Sequence, residues 1–414
     1  MKACKMQYKI SKKGKDLLGV IDLERSKSIS NRVLIIKALT KGDIPIKALS
    51  KSDDTNTLLS LLSDENHVLD VGAAGTTMRF LTAFMAICNG RETIITGSQR
   101  MQQRPIGILV DALRGLGADI TYLKNEGYPP LKIIGKSLSK NKVSIKGDVS
   151  SQFITALLLI GPVLENGLEL EIKGELVSIP YIKMTLNIMA YFGISYTWEA
   201  NTICIQPQSY CQKPYTVEAD WSAASYWYEM AALAQGEVHL TIKGLSKDSL
   251  QGDAVIANWM RKFGVNTVFE QDQVLITRTE NKLTGQDLNF VNCPDIAQSL
   301  TCMYAGLGMQ GEFRGLKTLK IKETDRCLAL HNELKKLGYC VNIKDTDVTY
   351  NHGQILNKLV EIDTYEDHRM AMSFAPLAYR LDSILINDPM VVTKSYPMYW
   401  EDLKSVGFEV ELVP

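Results

Sequence analysis

The stretch VSIKGDVSSQFITALLLIGPVLENGLEL, residues Val143–Leu170, contains the unit from which the whole chain is built. It starts as a β-like run, passes through a turn of small and acidic residues, continues as an apolar helix over Phe153–Leu164 and ends in a second β-like run. A helix that is apolar on every side belongs in a protein interior. The stretch therefore predicts a β–α–β unit with a buried helix.

The same pattern recurs along the 414 residues. Its six copies are Val20–Ile46, Val68–Ile95, Val143–Leu170, Tyr215–Ile242, Asn289–Gly315 and Leu359–Ile386. A second, amphipathic helix also recurs and ends in an apolar residue followed by glycine, the residue that best tolerates the left-handed conformation of a helix end. These endings are Leu116-Gly117, Phe192-Gly193, Phe263-Gly264, Leu337-Gly338 and Val406-Gly407. Only the first copy lacks one, because no glycine follows its second helix around Thr55–Ser63. Six βαβαββ units predict an α/β (α+β) protein with two domains of three units each.

Composition excludes several classes of protein. The chain has 46 basic and 46 acidic residues and is 45% hydrophobic, which disfavours a disordered chain and a protein that coats nucleic acid. Eight cysteines are scattered without a CxxC pair, and five histidines show no HExxH spacing, so neither a disulfide framework nor a metal site is predicted. We find no signal-peptide core or membrane-spanning stretch in the sequence and expect a cytoplasmic protein with reduced thiols.

The starts of the buried helices carry cations. Lys27 and Arg32 lie in the first turns after Ser26, Arg79 follows Gly75, and Arg369 opens the last helix. A cation in the first turn is repelled by the positive end of the helix dipole. An anion bound to the free N–H groups there would be stabilised by the cation and by the dipole. The ordinary alternative is that the neighbouring hydroxyl and acidic residues are simply helix caps.

For Ser222 we prefer the capping role. For Asp53 and His368 a capping role and a functional role are equally well supported. A similar choice applies to Lys322 and Arg326, which a helix would place one turn apart on one face. Taken alone, their segment is typical of a ladder of salt bridges on a solvated surface. Lys394 is predicted to lie on a loop.

Seven motifs in this order resemble the 5-enolpyruvylshikimate-3-phosphate synthase family. They are Ser26-Lys-Ser-Ile-Ser-Asn-Arg32, Gly75-Thr-Thr-Met-Arg79, Arg100-Met-Gln-Gln-Arg-Pro-Ile106, Gly147-Asp-Val-Ser-Ser-Gln152, Gln251-Gly-Asp253, Lys322-Glu-Thr-Asp-Arg326 and Asp367-His-Arg-Met-Ala-Met372. The resemblance implies the enolpyruvyl transferase fold, an inside-out α/β barrel of two three-unit domains. One domain would span 25–217 and the other 1–24 joined to 218–414, with the active site in the cleft between them.

The implied reaction transfers the enolpyruvyl group of phosphoenolpyruvate to the 5-hydroxyl of shikimate 3-phosphate and releases phosphate. Each substrate carries a carboxylate and a phosphate, so the site would hold about six negative charges near neutral pH. That charge accounts for the many cations. The family needs no metal or organic cofactor, and we expect a monomer that binds these small molecules but neither nucleic acid nor membrane.

Site residues follow from the resemblance position by position. The phosphoenolpyruvate site would be formed by Lys27, Gly75, Arg104, Gln152, Arg326, Arg369 and Lys394. The shikimate 3-phosphate site would be formed by Lys27, Ser28, Arg32, Ser150, Ser151, Gln152, Ser178, Tyr181, Asp295 and Lys322. Asp295 would accept the hydroxyl proton and Glu323 would protonate the methylene carbon of phosphoenolpyruvate, with Lys27 as a third catalytic residue. How the proton transfers divide among these three stays open.

The chain departs from the family pattern at three places. Glu24-Arg25 replaces a usual Pro-Gly, Ala73 replaces a usual Asn, and an Asn usual before the Lys-Glu motif is missing around Thr318. Two alternatives to the implied activity also remain. One is the sister transferase that acts on UDP-N-acetylglucosamine, which would show a reactive cysteine near Arg104. The other is a non-catalytic anion-binding paralogue, for which the acids Asp295 and Glu323 would have no use.

Overall fold

The computed structural model describes residues 6–40, 42–148, 150–279, 286–344, 347–350 and 355–413. Cys4, Val149 and His352, which belong to the cysteine count, a motif and the histidine count above, lie outside this range. Within it, no helix combines the length and the apolar character needed to cross a membrane.

The chain divides into two compact units. The continuous unit is Ser26–Val217, and the discontinuous unit joins Met1–Arg25 to Glu218–Pro414. Arg25, which the resemblance placed with residues 26–217, falls in the discontinuous unit. The reason is local, because its guanidinium donates to Asp22 Oδ1 over 2.9 Å and its backbone forms an isolated antiparallel bridge with Ala219.

The secondary structure alternates as the repeat predicts. The strands of the described residues are β1 Gln7–Ser11, β2 Leu17–Asp22, β3 Ile46–Lys47, β4 Val68–Asp70, β5 Glu92–Thr96, β6 Asp119–Tyr122, β7 Leu131–Ile134, β8 Lys142–Lys146, β9 Leu168–Lys173, β10 Thr197–Glu199, β11 Thr202–Ile205, β12 Tyr215–Thr216, β13 Val238–Lys243, β14 Val265–Glu270, β15 Gln273–Arg278, β16 Leu288–Asn289, β17 Gly311–Arg314, β18 Val341–Lys344, β19 Asp347–Tyr350, β20 Glu361–Ile362, β21 Ile384–Asn387 and β22 Glu409–Val413. The α-helices in the same range are α1 Lys27–Leu39, α2 Asp53–Leu62, α3 Gly75–Ala86, α4 Gly107–Leu116, α5 Ser151–Ile160, α6 Ile179–Tyr191, α7 Trp221–Leu233, α8 Ile256–Trp259, α9 Ala297–Leu307, α10 Arg326–Lys336, α11 His368–Phe374 and α12 Tyr399–Ser405.

Four-stranded sheets repeat one order of strands. In β4-β5-β7-β6, the first pair is parallel and the other two pairs are antiparallel. The sheets β8-β9-β11-β10, β16-β17-β19-β18 and β2-β13-β15-β14 follow the same rule. In the last sheet of this kind, β20-β21-β1-β22, the N-terminal strand takes the third place. The parallel pairs β4/β5, β8/β9, β16/β17 and β20/β21 are each joined through a buried helix, as a β–α–β crossover requires, and β2/β13 is the exception.

The chain passes from one unit to the other after Arg25 and returns after Val217. These two crossings exchange two strands between repeats. The sequence pattern grouped the run at Val20 with Ile46, and the run at Tyr215 with Ile242. Instead β2 pairs in parallel with β13, and β12 pairs in parallel with β3. The crossings cause this difference, because each strand stays in the unit it occupies before the chain leaves.

Buried helices form the core of each unit. In the continuous unit α1, α3 and α5 contact one another, and in the discontinuous unit α9 contacts α7 and α11. All thirteen residues of α7 are buried, and so are all seven of α11. The predicted interior helix at Phe153 is α5, in which every residue but Gln152 is buried.

The predicted glycine endings are confirmed. Gly117, Gly193, Gly264, Gly338 and Gly407 all have positive φ, between 75° and 108°. By contrast, α2 ends at Ser63 in the right-handed conformation, so the first repeat is the irregular one, as its sequence indicates.

Candidate active site

The first turn of α1 presents a lysine next to a carboxylate. Ser26 begins the helix by accepting a hydrogen bond from Ile29 N over 3.4 Å, and the first turn contains no acid. The Lys27 ammonium instead reaches across to α2, where it lies 3.0 Å from Asp54 Oδ2. The candidate Asp53 is in the same first turn of α2, but it is Asp54 that pairs with Lys27.

Arg32 lies one turn further along α1 and is buried among neutral acceptors. Its guanidinium donates to Thr185 Oγ1 over 2.8 Å, to Thr155 Oγ1 over 3.3 Å and to the carbonyl oxygens of Ser28 and Tyr181 over 2.7 and 3.3 Å. Burial lowers the pKa of Arg32 to about 10, opposed by Tyr181. The guanidinium stays charged at neutral pH, so its positive charge is available to an anion.

Gly75 allows Arg104 to approach the start of α3. A Cβ atom on Gly75 would lie only 2.8 Å from Arg104 Nη1, closer than real Cβ contacts. Arg79 ties the two segments together, donating to the carbonyl oxygens of Gly75 over 3.0 Å and Pro105 over 3.3 Å. The start of α3 and the segment around Arg104 are therefore held together, and Arg79 and Arg104 both lie beside Gly75 there.

The start of α5 contacts the start of α3. Ser150 caps α5 by accepting from Gln152 N over 3.3 Å, and Gln152 Nε2 donates to Thr76 Oγ1 over 3.2 Å. Ser151 is the first residue of that helix and is buried. The starts of α1, α3 and α5 thus carry most of the candidate residues of the continuous unit.

Ser178 holds a strained backbone conformation before α6. Its φ is 57°, in the left-handed region that a residue with a Cβ rarely adopts, and its side chain is buried. This turn starts α6, and the Tyr181 carbonyl in the first turn of α6 accepts from Arg32. Strain of this kind is commonly kept where a binding residue must be aimed.

In the discontinuous unit, Asp295 lies among three cations. It occupies a short 3-10 turn, Pro294–Ile296, that leads into α9. Its carboxylate is 3.1 Å from Arg326 Nη1, 3.4 Å from Arg369 Nη2 and 3.6 Å from Lys322 Nζ. Burial alone would raise the pKa of Asp295, but Arg369, Lys322 and Arg326 together hold it well below its usual range. The group is an ionised acceptor at neutral pH.

Glu323 shares the same arginine. Glu323 Oε2 lies 2.9 Å from Arg326 Nη2, and Oε1 lies 3.1 Å from Lys394 Nζ. Arg326 is further fixed by Asp367, whose Oδ2 accepts from Nε over 2.7 Å. Although burial acts to lower it, Asp367 and Glu323 raise the pKa of Arg326 above its usual range. The two candidate proton-transfer carboxylates are therefore held by one guanidinium.

The local structure of these cations differs from the surface salt-bridge ladder considered for Lys322 and Arg326 and from the loop predicted for Lys394. Helix α10 begins at Arg326 with Asp325 as its cap, so Lys322 precedes the helix and the two cations are not on one helical face. Arg326 is also fully buried and does not belong to a surface ladder. Lys394 ends a 3-10 helix, Pro389–Lys394, and is buried, which differs from the predicted loop.

Arg369 is held by Asp367, which belongs to a motif above, and by Tyr226, which the sequence did not single out. Asp367 caps α11 by accepting from Arg369 N over 2.9 Å, and Arg369 Nη1 donates to Tyr226 Oη over 3.3 Å. Burial raises the pKa of Tyr226, so its phenol stays protonated. His368 is buried beside Asp367, 3.7 Å from its carboxylate.

Asp253 is a further buried acid next to this cluster. Burial, with repulsion by Asp295 second, raises the pKa of Asp253 to about 7. Its Oδ2 accepts a hydrogen bond from the Ser222 hydroxyl. The predicted capping role of Ser222 is therefore wrong, since Asp220 caps α7 by accepting from the N–H groups of Ser222 and Ala223.

The structure places the predicted site residues in two clusters, one in each unit. The continuous-unit cluster comprises Lys27, Ser28, Arg32, Gly75, Arg104, Ser150, Ser151, Gln152, Ser178 and Tyr181. The discontinuous-unit cluster comprises Asp295, Lys322, Glu323, Arg326, Arg369 and Lys394. The sequence did not predict the residues that contact these candidates, which are Asp54, Thr155, Thr185, Tyr226 and Asp367. Among these residues only Asp367 could have been identified from the sequence, because it begins the motif Asp367-His-Arg-Met-Ala-Met372. In the part of the chain that is described, no group of His, Cys, Asp and Glu side chains is arranged to hold a metal ion.

Comparisons with known proteins point to one family. The family model for EPSP synthase (3-phosphoshikimate 1-carboxyvinyltransferase) matches residues 59–403. A 3-phosphoshikimate 1-carboxyvinyltransferase of Bacteroides fragilis is 48% identical over 411 residues, which cover 98% of this chain and 99% of that relative. The enzyme of the same name from Vibrio campbellii is 37% identical over 424 residues, covering 94% of this chain and 97% of that relative.

Solved structures share the fold. An EPSP synthase of Acinetobacter baumannii has a TM-score of 0.77 at 21% identity, covering 98% of this chain and 100% of that one. An enolpyruvyl transferase of Streptomyces tendae has a TM-score of 0.76 at 15% identity, covering 99% of this chain and 100% of that one. At such identities the likeness concerns the fold alone, and it confirms the predicted enolpyruvyl transferase fold of mixed helices and sheets.

Proposed function

The chain belongs to the EPSP synthase family, and we propose that it transfers the enolpyruvyl group of phosphoenolpyruvate to the 5-hydroxyl of shikimate 3-phosphate, releasing phosphate. This reaction belongs to the shikimate pathway, which leads to chorismate and the aromatic amino acids. The observation that carries the proposal is the arrangement of Asp295 and Glu323 around the Arg326 guanidinium. A protein that only bound anions would be weakened by two acids in its site, whereas an enzyme that moves two protons needs them.

The first half of the reaction is an addition. The 5-hydroxyl oxygen attacks the carbon of phosphoenolpyruvate that carries its phosphate, and its proton passes to Asp295. Glu323, in its protonated form, donates a proton to the methylene carbon, which becomes a methyl group. The product is a tetrahedral intermediate that carries both substrates.

The second half is an elimination. The methyl group returns one proton, the C–O bond to phosphate breaks and phosphate leaves with a proton supplied by the site. The double bond is restored, now on the transferred group. Lys27, with its ammonium 3.0 Å from Asp54, lies at a helix start where it can shuttle a proton or stabilise the departing phosphate, so the division of these steps among the three residues belongs to the proposal.

Substrate binding changes the basicity of Asp295. Arg369, Lys322 and Arg326 hold its pKa well below the usual range, which makes it a weak base before substrates bind. Phosphate and carboxylate groups that bind these cations offset their charge, so the pKa of Asp295 rises when the site fills. The base therefore becomes effective in the loaded enzyme.

The remaining cations are assigned to the substrates. Arg104, Arg326, Arg369 and Lys394, with Lys27, Gly75 and Gln152, take phosphoenolpyruvate, because guanidinium groups grip planar carboxylates and phosphates through two parallel bonds. Arg32, Lys322 and the serines 28, 150, 151 and 178, with Lys27, Gln152, Tyr181 and Asp295, take shikimate 3-phosphate.

A coupled assay of phosphate release tests the proposal. The chain is given phosphoenolpyruvate with either shikimate 3-phosphate or UDP-N-acetylglucosamine as acceptor. We expect release only with shikimate 3-phosphate. Release with UDP-N-acetylglucosamine alone would assign the sister activity, and release with neither acceptor would support a non-catalytic anion-binding protein.

We also propose that the protein acts in the cytoplasm as a monomer. The seven cysteines in the described range are free thiols, which suits a reducing compartment. Sedimentation equilibrium at several concentrations checks the oligomeric state, and a mass twice that of the 46.2 kDa chain would contradict it.

A further inference from the structure

A second basic cavity lies in the discontinuous unit, apart from the candidate active site. Its volume is about 600 Å³, within the size range of small-molecule sites, and it opens where the β1–β2 loop meets the segment after α11. Its charged lining residues are the cations Lys9, Lys12, Lys13, Lys15 and Arg380 and the acids Asp382 and Glu409. None of these residues belongs to the clusters described above.

Only part of this charge is neutralised within the protein. Lys13 Nζ lies 2.7 Å from Glu409 Oε1, and the hydroxyl of Ser11 donates to the other carboxylate oxygen over 3.1 Å. This pair is on the exposed rim. It occupies Glu409 and leaves the cations deeper in the cavity with fewer acids.

Lys12 is held in place by neutral groups. Its ammonium donates to the Val406 carbonyl over 2.8 Å and lies 5.6 and 5.5 Å from the ring centroids of Tyr379 and Phe408. Burial lowers the pKa of Lys12, and Asp16 opposes this. The side chain is thus fixed with a charge that a carbonyl and two rings only partly offset.

Arg380 gives the strongest support for a ligand in this cavity. It follows the 3-10 helix Ala375–Tyr379 that continues α11, and its Nε atom is buried without a hydrogen-bond partner among the described residues. Burial and repulsion by Arg278 lower the pKa of Arg380. The side chain as a whole is only half-buried, but a buried N–H without an acceptor is unfavourable, so an acceptor that reaches it is favoured.

We propose that this cavity binds a small phosphate-bearing anion, with Arg380 and Lys12 as the principal contacts and Lys9 and Lys15 at the rim. A phosphate group carries nearly two negative charges and several acceptor oxygens, which matches a guanidinium fork and an ammonium better than a single carboxylate does. The site is distinct from the active site. Arg369 opens α11 and Arg380 lies eleven positions on, roughly 17 Å away along a helical path.

Acetylation footprinting of the full chain tests the site with inorganic phosphate as the probe. Acetylation of Lys9, Lys12 and Lys15 is followed by mass spectrometry in phosphate and in chloride of equal ionic strength, so that simple screening is removed. We expect saturating phosphate to slow acetylation at these lysines about tenfold. Lys142, which pairs with Glu169 on the surface of the other unit, is the internal reference and should not change.

The variant Arg380→Gln decides whether the protection comes from this cavity. It should weaken the apparent phosphate affinity about tenfold and leave turnover of the enzyme unchanged, whereas Arg314→Gln, at a paired surface arginine, should change neither. Equal protection in Arg380→Gln and wild type, or no protection in wild type, overturns the proposal. If Arg380→Gln does not fold, exposed Lys15→Gln replaces it, and full protection of Lys9 and Lys12 in that variant is the contradicting result.

Discussion

The two units hold their buried arginines in opposite ways. In the continuous unit, Arg32 donates to two threonine hydroxyls and two carbonyl oxygens, all of them neutral. In the discontinuous unit, Arg326 is surrounded by the carboxylates of Asp295, Glu323 and Asp367. Both side chains are almost wholly buried, so the difference lies in their partners and not in their exposure.

The difference separates binding from chemistry. A guanidinium that is hydrogen-bonded but not neutralised keeps its charge for a substrate anion. A guanidinium that holds three carboxylates instead orients acids and bases and sets their pKa values. The comparison therefore predicts that a change at Arg32 mainly affects substrate affinity, while changes at Arg326 and at the carboxylates it holds mainly affect turnover or stability.

The largest effect is expected for Glu323→Gln. Gln has the same shape and keeps a carbonyl oxygen for Arg326, but it has no proton to give, so kcat should fall about 1,000-fold with both substrates still bound. Steady-state kinetics and calorimetric binding measure the two parts. Glu312→Gln, at an exposed carboxylate paired with Arg314, is the matched control and should keep its turnover. A Glu323→Gln enzyme with normal kcat would remove the acid from the mechanism.

Next in size is the stability of Arg326→Gln. Removing the guanidinium leaves three carboxylates close together, so the free energy of unfolding should fall by about 3–5 kcal/mol. Arg32→Gln should lose less than half of that, because the groups it leaves behind are neutral. Urea denaturation compares the two variants. Equal losses would mean that the partners of the two arginines do not matter.

Arg32→Gln should instead weaken binding. Loss of one charge-assisted contact to the shikimate 3-phosphate anion should raise its KM about 30-fold, while kcat at saturation stays within about threefold of wild type. Thermal melting with and without this substrate gives a second readout. The idea fails if kcat collapses while KM is unchanged.

Gly75→Ala should have a moderate effect on phosphoenolpyruvate. The new methyl group would lie 2.8 Å from Arg104 Nη1, so the guanidinium must shift, and KM for phosphoenolpyruvate should rise about tenfold. Gly115→Ala is the control, because a Cβ there meets only ordinary contact with Val143. An unchanged KM in Gly75→Ala would show that Arg104 does not grip this substrate.

The smallest effect concerns pH and Asp253. Folding raises the pKa of this acid to about 7, so the folded protein prefers the protonated form. Stability from this group is therefore greatest at low pH and is lost as the pH rises towards and through 7. Asp253→Asn should be more stable than wild type at pH 8 by about 1 kcal/mol or more, and this advantage should shrink at pH 5. An advantage that is larger at pH 5 would contradict the sign.

The sequence predicted what is decided locally. Glycine after an apolar residue set the ends of five helices, and the nearly all-apolar run at Phe153 set a buried helix, because both depend on neighbours in the chain. The exchange of β2 and β12 between repeats was missed, because strand pairing joins residues about 200 positions apart. Lys322 and Arg326 do not share the face that a helix across both would give them, because Asp325 caps a helix that starts at Arg326.

The candidate site shows the same limit. Motifs located Asp295, Glu323 and Arg326, but not that one guanidinium would hold both acids. Asp54 and Tyr226 lay outside the recognised signals, since an acid or a phenol becomes a partner only when folding brings it to a cation. Counter-charges are therefore found from tertiary structure and not from spacing.

Incorporation of solvent deuterium tests the division of labour most directly. Wild type, Arg32→Gln and Glu323→Gln are given saturating substrates in D₂O, and deuterium in the methylene group of phosphoenolpyruvate and product is followed by NMR. We predict near-normal incorporation in Arg32→Gln and almost none in Glu323→Gln. Normal incorporation in Glu323→Gln, or its loss in Arg32→Gln, would contradict the assignment of substrate binding to Arg32 and of proton transfer to Glu323.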